Sequence, residues 1–441
     1  MSEPVRRAGV FALLCTLSLA VPLFGPEVAA ALAAVVLLGA VVVTDGPIFD
    51  LLAYPDDYED GRLYGLIAFV LAGVALGLLA TQSSMTSAVF VGTVLLVGYG
   101  NFGERLVRTR TADDVARATG FCLAATVAAA VGQAATVGLA GGSVAAALPT
   151  ILFLAASGAL LAALLRDILL LYDDPVVMLS VGLLLWLLAE LDPALGAVDI
   201  VIALAITAAL GYASYALETA SIAGILTGVL LGLLTVVLGG YGWFAVLISF
   251  FAIGGLSTKF RYGRKEDLGV AEENNGARGT GNVLGNAAVG LVAVLGYAAS
   301  EAGFVPVASE LFLFAFAGSV ATAMSDTLSS EIGSIFETPR LITTLEPVEP
   351  GTDGGVTWQG EIAGVVGAGI VAAIAYALFP EIGAVGAAIV VAAGVVGMTV
   401  DSLLGATLEG TLLGNQGVNF LATLSGAVVS ALLVLSLAAL G

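Results

Sequence analysis

The sequence contains no histidine, only two cysteines and few charged residues, and these absences exclude several kinds of chemistry. Without histidine, imidazole-based acid–base catalysis and most zinc sites are excluded. Cys15 and Cys122 both lie inside apolar segments and have no metal-ligand spacing, so we interpret them as small buried residues. Any catalysis must therefore use carboxylates, hydroxyl groups, lysine or arginine.

Apolar residues dominate what is present. They make up 59% of the 441 residues, and the mean hydropathy of +1.07 is far above that of a soluble globular protein. Apolar segments of about 17–22 residues recur along almost the whole chain, and each is long enough to cross a ~30 Å hydrocarbon layer as a helix. The sequence therefore predicts an all-α, polytopic transmembrane helical bundle that is embedded in a lipid bilayer.

The bundle is predicted to have about 14–15 spans and a cytoplasmic N-terminus. The candidate spans are residues 8–24, 27–43, 64–80, 84–99, 117–138, 144–165, 175–191, 196–214, 219–238, 241–257, 281–300, 308–325, 361–379, 382–400 and 418–440. If Arg6 and Arg7 are cytoplasmic, alternation places every other lysine and arginine in or beside a cytoplasmic segment, as the positive-inside rule requires. No cleavage site for a signal peptide follows Arg7, so the first span is expected to remain.

Acidic residues give the chain a net charge of −20, and they lie almost entirely in connecting segments such as 54–62 and 345–355. Acidic loops keep a protein hydrated at high salt, which favours a halophilic archaeal source. An acidic surface for a basic partner is the alternative. The charge gives no indication of nucleic-acid binding.

Polar residues divide the chain into two parts. Residues 1–215 form an N-terminal membrane module of unknown role. Residues 216–441 form a predicted catalytic membrane domain, whose cytoplasmic loops 258–280, 326–360 and 401–417 hold nearly all of the unusual polar residues. The active face is therefore expected to be the cytoplasmic face of the cell membrane.

Two clusters supply cations and amides. In "STKFRYGRKEDLG" (257–269), Lys259 is the best candidate to reach a site at the membrane boundary, whereas Arg261, Arg264 and Lys265 are interpreted as positive-inside anchors. In "NNGARGTGNVLGNAAVG" (274–290), a glycine-rich segment with Arg278 enters a helix, and Asn282 and Asn286 share one helix face. A helix N-terminus of this kind favours anions.

A third cluster combines carboxylates with phosphate-binding groups. Asp326 and Glu331, with Thr327 and Ser330 between them, form an oxygen-rich group suited to Mg²⁺. The following loop adds a guanidinium, hydroxyl groups and a tight turn that would bind phosphate oxygens: Arg340, Thr343, Thr344, Gly351, Thr352, Gly354 and Gly355. Asp326 and Glu331 lie about 140° apart on a regular helix. We therefore expect a helix break within the motif, or Glu331 serving elsewhere in the site.

A fourth cluster contains Asp401 and Ser402, with Asn419 after it. The segments "MSDTL" and "MTVDSL" are alike, which suggests a parallel repeat that brings Asp326 and Asp401 to the same depth. Chance similarity is the alternative. Helix capping and solvated loops would explain any one of the four clusters, but their occurrence on one membrane face favours phosphoryl transfer, which needs positioning and charge neutralisation.

At these motifs the chain resembles the integral-membrane family called domain of unknown function 92, which includes plant and cyanobacterial phytyl-phosphate kinases and animal transmembrane protein 19. The matching segments follow the family order over about residues 219–441: "GGYGWFAVLISFFAIGGLSTKF", "RGTGNVLGNAAVG", "SDTLSSEIG", "PRLITT", "PGTDGGVTWQGEIAG", "DSLLGATLEG" and "NFLATLSGA". Asn282 stands where glutamine is expected, Ala287 where glycine is usual and Glu409 where glutamine is usual. The first half of the chain lies outside the resemblance.

The resemblance implies a prenyl-phosphate kinase that transfers a phosphoryl group from a nucleoside triphosphate, with CTP expected, to an isoprenoid monophosphate. Asp326, Glu331 and Asp401 would hold Mg²⁺, and Lys259, Arg278 and Arg340 would neutralise phosphates. The remaining residues would bind nucleotide and substrate: Asn282, Asn286, Thr327, Ser330, Thr343, Thr344, Gly351, Thr352, Gly354, Gly355, Ser402 and Asn419.

Two alternatives stay open. A lipid-phosphate or ion transporter would suit the number of spans, but it predicts polar residues distributed through the membrane depth. A CDP-lipid-forming nucleotidyltransferase would use the same residues as the kinase. The sequence also leaves the oligomeric state open.

Overall fold

The computed structural model describes residues 3–168, 173–191, 193, 196–269, 279–336 and 338–440, and most of them are helical. The chain divides into two compact units, Met1–Ala205 and Ile206–Gly441. The all-α, polytopic helical bundle predicted from the sequence is confirmed.

The helices of the first unit follow one another through short connections, and the last of them crosses the division between the units. They are α1 (Glu3–Cys15), α2 (Ala20–Phe24), α3 (Pro26–Val42), α4 (Gly46–Leu52), α5 (Asp57–Asp60), α6 (Tyr64–Gln82), α7 (Ser87–Arg108), α8 (Asp114–Leu139), α9 (Val144–Ile168), α10 (Asp174–Glu190) and α11 (Ala197–Ala216). A 3₁₀ turn at Thr16–Leu19 joins α1 to α2. The observed division of the chain lies inside α11, whereas the boundary expected at residues 215–216 lies at its end.

A charged network holds three helices of the first unit together at one end. Arg166 of α9 donates hydrogen bonds to Asp174 of α10 at 2.8 Å and to Glu104 of α7 at 2.9 Å, and it also contacts Asn101. Asn101 in turn donates to Asp174 at 2.9 Å. Every charge in this network has a partner, as intramembrane ionisable groups require, so we interpret it as structural.

The second unit contains the segments that carry the candidate site. Its elements are α12 (Ile222–Gly239), α13 (Tyr241–Thr258), α14 (Tyr262–Leu268), α15 (Thr280–Glu301), α16 (Ser309–Gly333), β1 (Arg340–Leu341), β2 (Gly355–Val356), α17 (Trp358–Leu378), α18 (Ala384–Leu408) and α19 (Asn415–Leu440). The two short strands pair antiparallel, with Arg340 opposite Val356 and Leu341 opposite Gly355.

Helices occupy all of the predicted span positions, but fewer than fifteen meet the length and hydropathy that a membrane crossing requires. Within the described residues twelve helices do so, or up to thirteen if the pair α3 and α4, bent by 113°, forms one span. Twelve or thirteen of the 14–15 predicted spans are therefore supported within the described residues. Helices α3 and α10 have only 17 residues each, and α7 ends in the charged segment "GERLVR", which lowers its hydropathy.

Helix α16 is the centre of the second unit. It contacts α13, α15, α17, α18 and α19, and among the described candidate spans it is the most buried. Small residues permit this, because they let helix backbones approach closely within a membrane. A Cβ atom placed at Gly318 of α16 would lie 2.6 Å from the carbonyl oxygen of Gly426 in α19, and one at Gly367 of α17 would lie 2.9 Å from that of Met324.

The register of these contacts gives the helix directions. Phe314, Ala321 and Ser325 of α16 meet Gly386, Gly394 and Met398 of α18 in the same order, so the two helices are parallel. Against α17 the order is reversed, since Met324 meets Gly367 and Ser325 meets Gly364. The C-terminal ends of α16 and α18 therefore lie on one face of the unit, together with the N-terminus of α17.

Helices extend into the predicted cytoplasmic loops 326–360 and 401–417 at their N-terminal ends. Helix α16 continues to Gly333 and α18 to Leu408, so Asp326 and Asp401 lie in helices and not in loops. The polar side chains do not end α16 because they find partners on or between helices. Ser325 donates to the Gly364 carbonyl at 2.7 Å, and Ser330 to the Thr327 carbonyl at 3.2 Å.

We predict that Gly318→Ala destabilises the second unit by about 1–3 kcal/mol, because the added methyl group forces α16 away from α19. Gly369→Ala in α17 is the matched control, since a Cβ atom there meets nothing within 4 Å. Alanine favours the helix over glycine by up to about 1 kcal/mol, so the control should be neutral or slightly stabilising. Thermal unfolding in detergent measures both variants, and equal midpoints would contradict the close packing.

Candidate functional site

Two carboxyl groups face each other at the interface between α16 and α18. Asp326 follows Gly318 and Thr322 at intervals of four residues, which places all three on one face of α16. Asp401 lies on the facing side of α18, four residues after Gly397. The carboxyl groups of Asp326 and Asp401 lie close enough for each to affect the charge of the other.

The two carboxyl groups lie at the same depth. Each belongs to the seventh residue before the end of its helix (326 to 333 and 401 to 408), which is ~10 Å from that end. Both side chains are half-buried, and the Oδ1 atom of Asp401 is buried without a hydrogen-bond partner among the described residues. Two negative charges at this separation repel each other, and a cation bound between them would remove that repulsion.

Glu331 does not join this pair. Helix α16 is continuous through the motif, so the expected helix break is absent and the second alternative, Glu331 serving elsewhere, is the one observed. Its carboxylate forms a buried ion pair with Lys265 of α14. The sequence assigned Glu331 to the metal, but in the structure its partner is a cation of the protein.

Lys265 is interpreted from the sequence as a positive-inside anchor, and the structure adds a further role, because its side chain is buried with 2% of its surface exposed. Besides Glu331, its ammonium group donates to the carbonyl oxygens of Ser257 at 3.2 Å and Thr258 at 3.3 Å. These carbonyls belong to the last turn of α13, and that of Ser257 also accepts from the Phe260 amide at 3.0 Å. Lys265 thus fastens α13 to the C-terminal turns of α16.

Amide side chains lie at the start of α15 and α19. Asn286 is buried and donates to the Asn282 carbonyl at 3.0 Å, whereas the Oδ1 atom of Asn282 is buried without a partner among the described residues. Asn419 donates to the Asn415 side chain at 2.9 Å. Thr423 of α19 contacts the Gly285 carbonyl at 3.5 Å, which joins the beginnings of the two helices.

The loop between α16 and α17 carries the predicted nucleotide-binding residues on a small hairpin. Arg340 is exposed and donates to the Leu345 carbonyl at 2.6 Å. Thr343 and Thr344 are exposed near the tip of the hairpin, where the Thr344 hydroxyl accepts a hydrogen bond from the Glu346 amide at 3.3 Å. The geometry leaves these side chains at the surface of the second unit.

The glycine-rich turn of the same loop packs against α18. A Cβ atom at Gly354, whose φ is +73°, would lie 2.6 Å from the Ser402 carbonyl oxygen and 2.6 Å from the Ala406 nitrogen. This contact requires glycine in both conformation and size. The amides of Thr352 and Gly355 donate within the loop, to Glu349 at 3.2 Å and to Thr352 at 2.8 Å, so these two are not available to a phosphate.

Gly351 also has a positive φ, at +84°, in the same turn. Directly beneath the turn, Glu409 follows the last residue of α18. Burial raises the pKa of Glu409, and the nearby Asp353 carboxylate raises it further. The region around the turn is therefore acidic, and the added negative charge lies at the end of the helix that carries Asp401.

The predicted cations of residues 257–290 do not share one location in the described structure. Lys259 caps the C-terminus of α13 and is exposed. Arg278 lies outside the described residues.

The predicted hydroxyl side chains differ in their exposure. Thr327 is buried in α16, Ser330 is exposed one turn later, and Ser402 is half-buried beside Asp401.

The residues present fit a divalent cation that is held partly by substrate. Within the described part of the chain, no group of three or more Asp, Glu, Cys or His side chains is arranged to hold a metal. Mg²⁺ is commonly bound by one or two carboxylates, with water and substrate phosphates completing the shell. Asp326 and Asp401, with the unpartnered Oδ1 atom of Asp401, match that donor set.

Sequence reasoning missed the structural role of Lys265, although a signal was present. Met324, Leu328 and Glu331 recur at helical intervals on one face of α16, and the first two are apolar. The period therefore places Glu331 on a buried face, where a carboxylate needs a cation. What the pattern did not give was which of the four cations in residues 259–265 would reach it.

Comparisons with known proteins match the second unit and leave most of the first unmatched. The model of a family described as integral membrane protein DUF92 matches residues 205–427. The uncharacterized membrane protein MJ0933 of Methanocaldococcus jannaschii is 35% identical over 216 residues, which are 48% of this chain and 85% of that protein. No solved structure matches the chain significantly.

Two further relatives align over a similar share of the chain. Protein VTE6, chloroplastic, of Arabidopsis thaliana is 34% identical over 48% of this chain and 65% of its own length. The uncharacterized membrane protein sll0875 of Synechocystis is 32% identical over 43% of this chain and 73% of its own length.

We predict that Lys265→Met destabilises the protein by about 3–5 kcal/mol, because it leaves Glu331 buried without a counter-charge. The double variant Lys265→Met/Glu331→Met should recover most of this loss. Glu266→Gln, an exposed change on the same short helix, is the control and should stay within about 0.5 kcal/mol of wild type. Denaturant unfolding in micelles measures all three, and a Lys265→Met effect no larger than the control would exclude the buried ion pair.

We also predict that Gly354→Ala detaches the turn from α18, which would appear as faster proteolysis of the loop between α16 and α17. Gly410→Ala is the matched control, because Gly410 has a similar positive φ of +72° but a Cβ atom there meets nothing within 4 Å. Both variants carry the backbone strain, of order 1 kcal/mol, and only the first has the close contact. Equal cleavage rates in the loop would show that its packing against α18 is unimportant.

Proposed function

The chain belongs to the integral membrane protein DUF92 family, and on this premise we propose that it is a prenyl-phosphate kinase. It would transfer the terminal phosphoryl group of a nucleoside triphosphate, CTP in this proposal, to an isoprenoid monophosphate of the phytyl or geranylgeranyl type. The observation that carries the proposal is the facing pair Asp326 and Asp401 on parallel membrane helices, within the residues that the family model covers.

The reaction needs little covalent chemistry from the protein. An oxygen of the acceptor monophosphate forms a bond to the terminal phosphorus of the nucleotide, and the bond from that phosphorus to the bridging oxygen breaks, so the products are the isoprenoid diphosphate and a nucleoside diphosphate. The second pKa of a phosphate monoester is about 6, so the acceptor is largely ionised at neutral pH and requires no general base. This agrees with a chain that has no histidine.

The work of the protein is then to position two anions and to neutralise their charge. Mg²⁺, held by Asp326 and Asp401, would supply Lewis-acid stabilisation of the phosphoryl oxygens. Lys259 and Arg340 are exposed cations on two polar segments of the second unit and would contact phosphates from outside the carboxylate pair. Asn282, with its buried unpartnered oxygen, would accept a hydrogen bond from substrate or from metal-bound water.

The turn against α18 supports this assignment. Gly354 packs on the last turns of α18, the helix that carries Asp401. The loop that carries Thr343 and Thr344 is therefore anchored on α18, and a nucleotide bound by these hydroxyls would be held near the carboxylate pair. In the proposal Glu331 is a positioning residue, because its pairing with Lys265 fixes the C-terminal turns of α16 that carry Asp326.

We predict that purified protein, given geranylgeranyl phosphate, CTP and Mg²⁺, forms the diphosphate, and that Asp326→Asn and Asp401→Asn each lower turnover by roughly 10²–10³-fold. Glu310→Gln is the control, since Glu310 is exposed in the first turn of the same helix, at the opposite end from Asp326. Its turnover should equal that of wild type. Thin-layer and mass-spectrometric product analysis with several labelled nucleotides gives the readout.

Three results would contradict the proposal in different ways. Undiminished turnover in Asp326→Asn would exclude the metal assignment. Formation of a CDP-lipid with release of pyrophosphate would identify a nucleotidyltransferase built from the same residues. Uptake of a lipid phosphate or an ion by proteoliposomes, without any product, would identify a transporter.

A further inference from the structure

A cleft of about 430 Å³ lies in the second unit, between α12, α13 and the part of α11 that belongs to this unit (from Thr207), outside the carboxylate pair. Its walls are almost entirely apolar, with side chains such as Leu210, Val229, Ile248 and Phe251. Its lining also includes Lys259, and its remaining polar members are the hydroxyls of Thr207, Ser214 and Thr219. A long apolar cavity with a cation in its lining fits an amphiphile better than a polar metabolite.

The cleft extends along the membrane direction. On α13 its lining residues include Phe244, Ile248, Phe251, Gly255 and Lys259, which recur at intervals of three or four and so form one face of the helix. From residue 244 to residue 259 this face spans ~22 Å. Phe244 marks one end, and Lys259, at the helix C-terminus, marks the other.

Most of the polar residues lie at the end marked by Lys259, whereas Thr207 lies at the Phe244 end. Ser214 and Thr219 lie near the junction of α11 and α12, and their hydroxyl oxygens are 2.8 Å apart. This junction and the C-terminus of α13 are on the same side of the unit, because α12 and α13 are consecutive and pack together. The cleft therefore offers an apolar length with a charged, hydroxyl-bearing mouth.

Two glycines in the walls help to keep the cleft open. Gly228 and Gly255 both line it, and a Cβ atom at either position would meet nothing within 4 Å. On the neighbouring α11, by contrast, glycine serves close packing, since a Cβ atom at Gly211 would lie 2.7 Å from Val229. The space beside Gly228 and Gly255, which a larger side chain would occupy, is not filled by other residues.

The Lys259 end of the cleft is close in sequence to residues that contact the proposed active site. Lys259 directly follows Thr258, whose carbonyl binds Lys265, and Lys265 pairs with Glu331 one to two turns after Asp326. Val283, which also lines the cleft, is adjacent to Asn282. A phosphate at Lys259 is therefore on the side of the unit that carries the carboxylate pair.

We propose that this cleft binds the hydrocarbon chain of a single-chain phosphate amphiphile, with the phosphate at Lys259, so that cleft length selects the acceptor. This inference rests on the proposed function for the identity of the amphiphile as an isoprenoid phosphate. At about 1.2 Å per bond of an extended chain, four isoprene units cover roughly 19 Å, which matches the ~22 Å face of α13. An isoprenoid of that length fits the cleft from Lys259 to Phe244.

The test shortens the cleft without disturbing its walls. Gly228→Leu and Gly255→Leu each place a side chain in the open space, and Gly369→Leu on α17 is the control, because it also meets nothing within 4 Å but lies outside the cleft. Acceptors of five, ten and twenty carbons, dimethylallyl, geranyl and geranylgeranyl phosphate, are compared by KM. We expect the KM of the longest acceptor to rise about tenfold or more, since losing the burial of two methylene groups is worth about that much.

The five-carbon acceptor should be unaffected by Gly228→Leu and affected least by Gly255→Leu, which lies only one turn (~6 Å) from Lys259. The control should leave all three KM values unchanged. Lys259→Gln should weaken all acceptors by a similar factor, because it removes a contact with the phosphate and not with the chain. Active variants whose KM profile over chain length equals that of wild type would overturn the cleft assignment. Equal losses for five- and twenty-carbon acceptors in Gly228→Leu and Gly255→Leu would overturn it as well.

A binding measurement separates this inference from the proposed function. Radiolabelled geranylgeranyl phosphate is bound to the detergent-purified protein without nucleotide and displaced by lysophosphatidic or phosphatidic acid. Loss of binding in both glycine variants, but not in Gly369→Leu, supports the cleft even if wild type forms no product. Retained binding in both glycine variants overturns the inference even if wild type is an active kinase. Stronger displacement by the two-chained phosphatidic acid than by unlabelled geranylgeranyl phosphate would also overturn it, since a bilayer lipid would then be the ligand.

Discussion

The close parallel packing of α16 against α18 is the constraint on which the rest of the second unit depends. It requires small residues along the contact, and Gly394 and Gly397 of α18 provide them opposite Ala321 and Thr322. Once the backbones are this close, the carboxyl groups of Asp326 and Asp401 face each other across the contact. The same packing that stabilises the bundle therefore creates the pair of carboxyl groups, and the stability of the unit and its candidate chemistry are not separable.

The buried pair Lys265 and Glu331 extends this constraint to α13. Placing two charges in a low-dielectric interior is costly, and their attraction offsets the cost only when further hydrogen bonds satisfy the ammonium group. The carbonyl oxygens of Ser257 and Thr258 supply those hydrogen bonds. Because these hydrogen bonds and the ion pair require one arrangement of the two helices, they fix α13 relative to α16. They thereby also fix the position of Lys259 and of one wall of the apolar cleft.

The two units of the chain differ in how they place their charged residues. In the first unit the charges of Arg166, Asp174 and Glu104 satisfy one another. In the second unit a carboxylate oxygen, Oδ1 of Asp401, is buried without a partner in the described structure. Neutral polar atoms without partners occur in both units, but an unpartnered carboxylate oxygen is the costlier to bury.

The sequence alone determined the class of fold and the segments that matter, because hydropathy and the 3.6-residue period are local properties that survive any packing arrangement. It also determined that Asp326 and Glu331 cannot share one ligand from a continuous helix, since that follows from the angle per residue. Only the tertiary structure decided which partner each carboxylate has. Asp326 pairs with a residue 75 positions away (326 to 401) and Glu331 with one 66 positions away (265 to 331). Such pairings depend on how closely helices approach, and no periodicity within one segment specifies the distance between two.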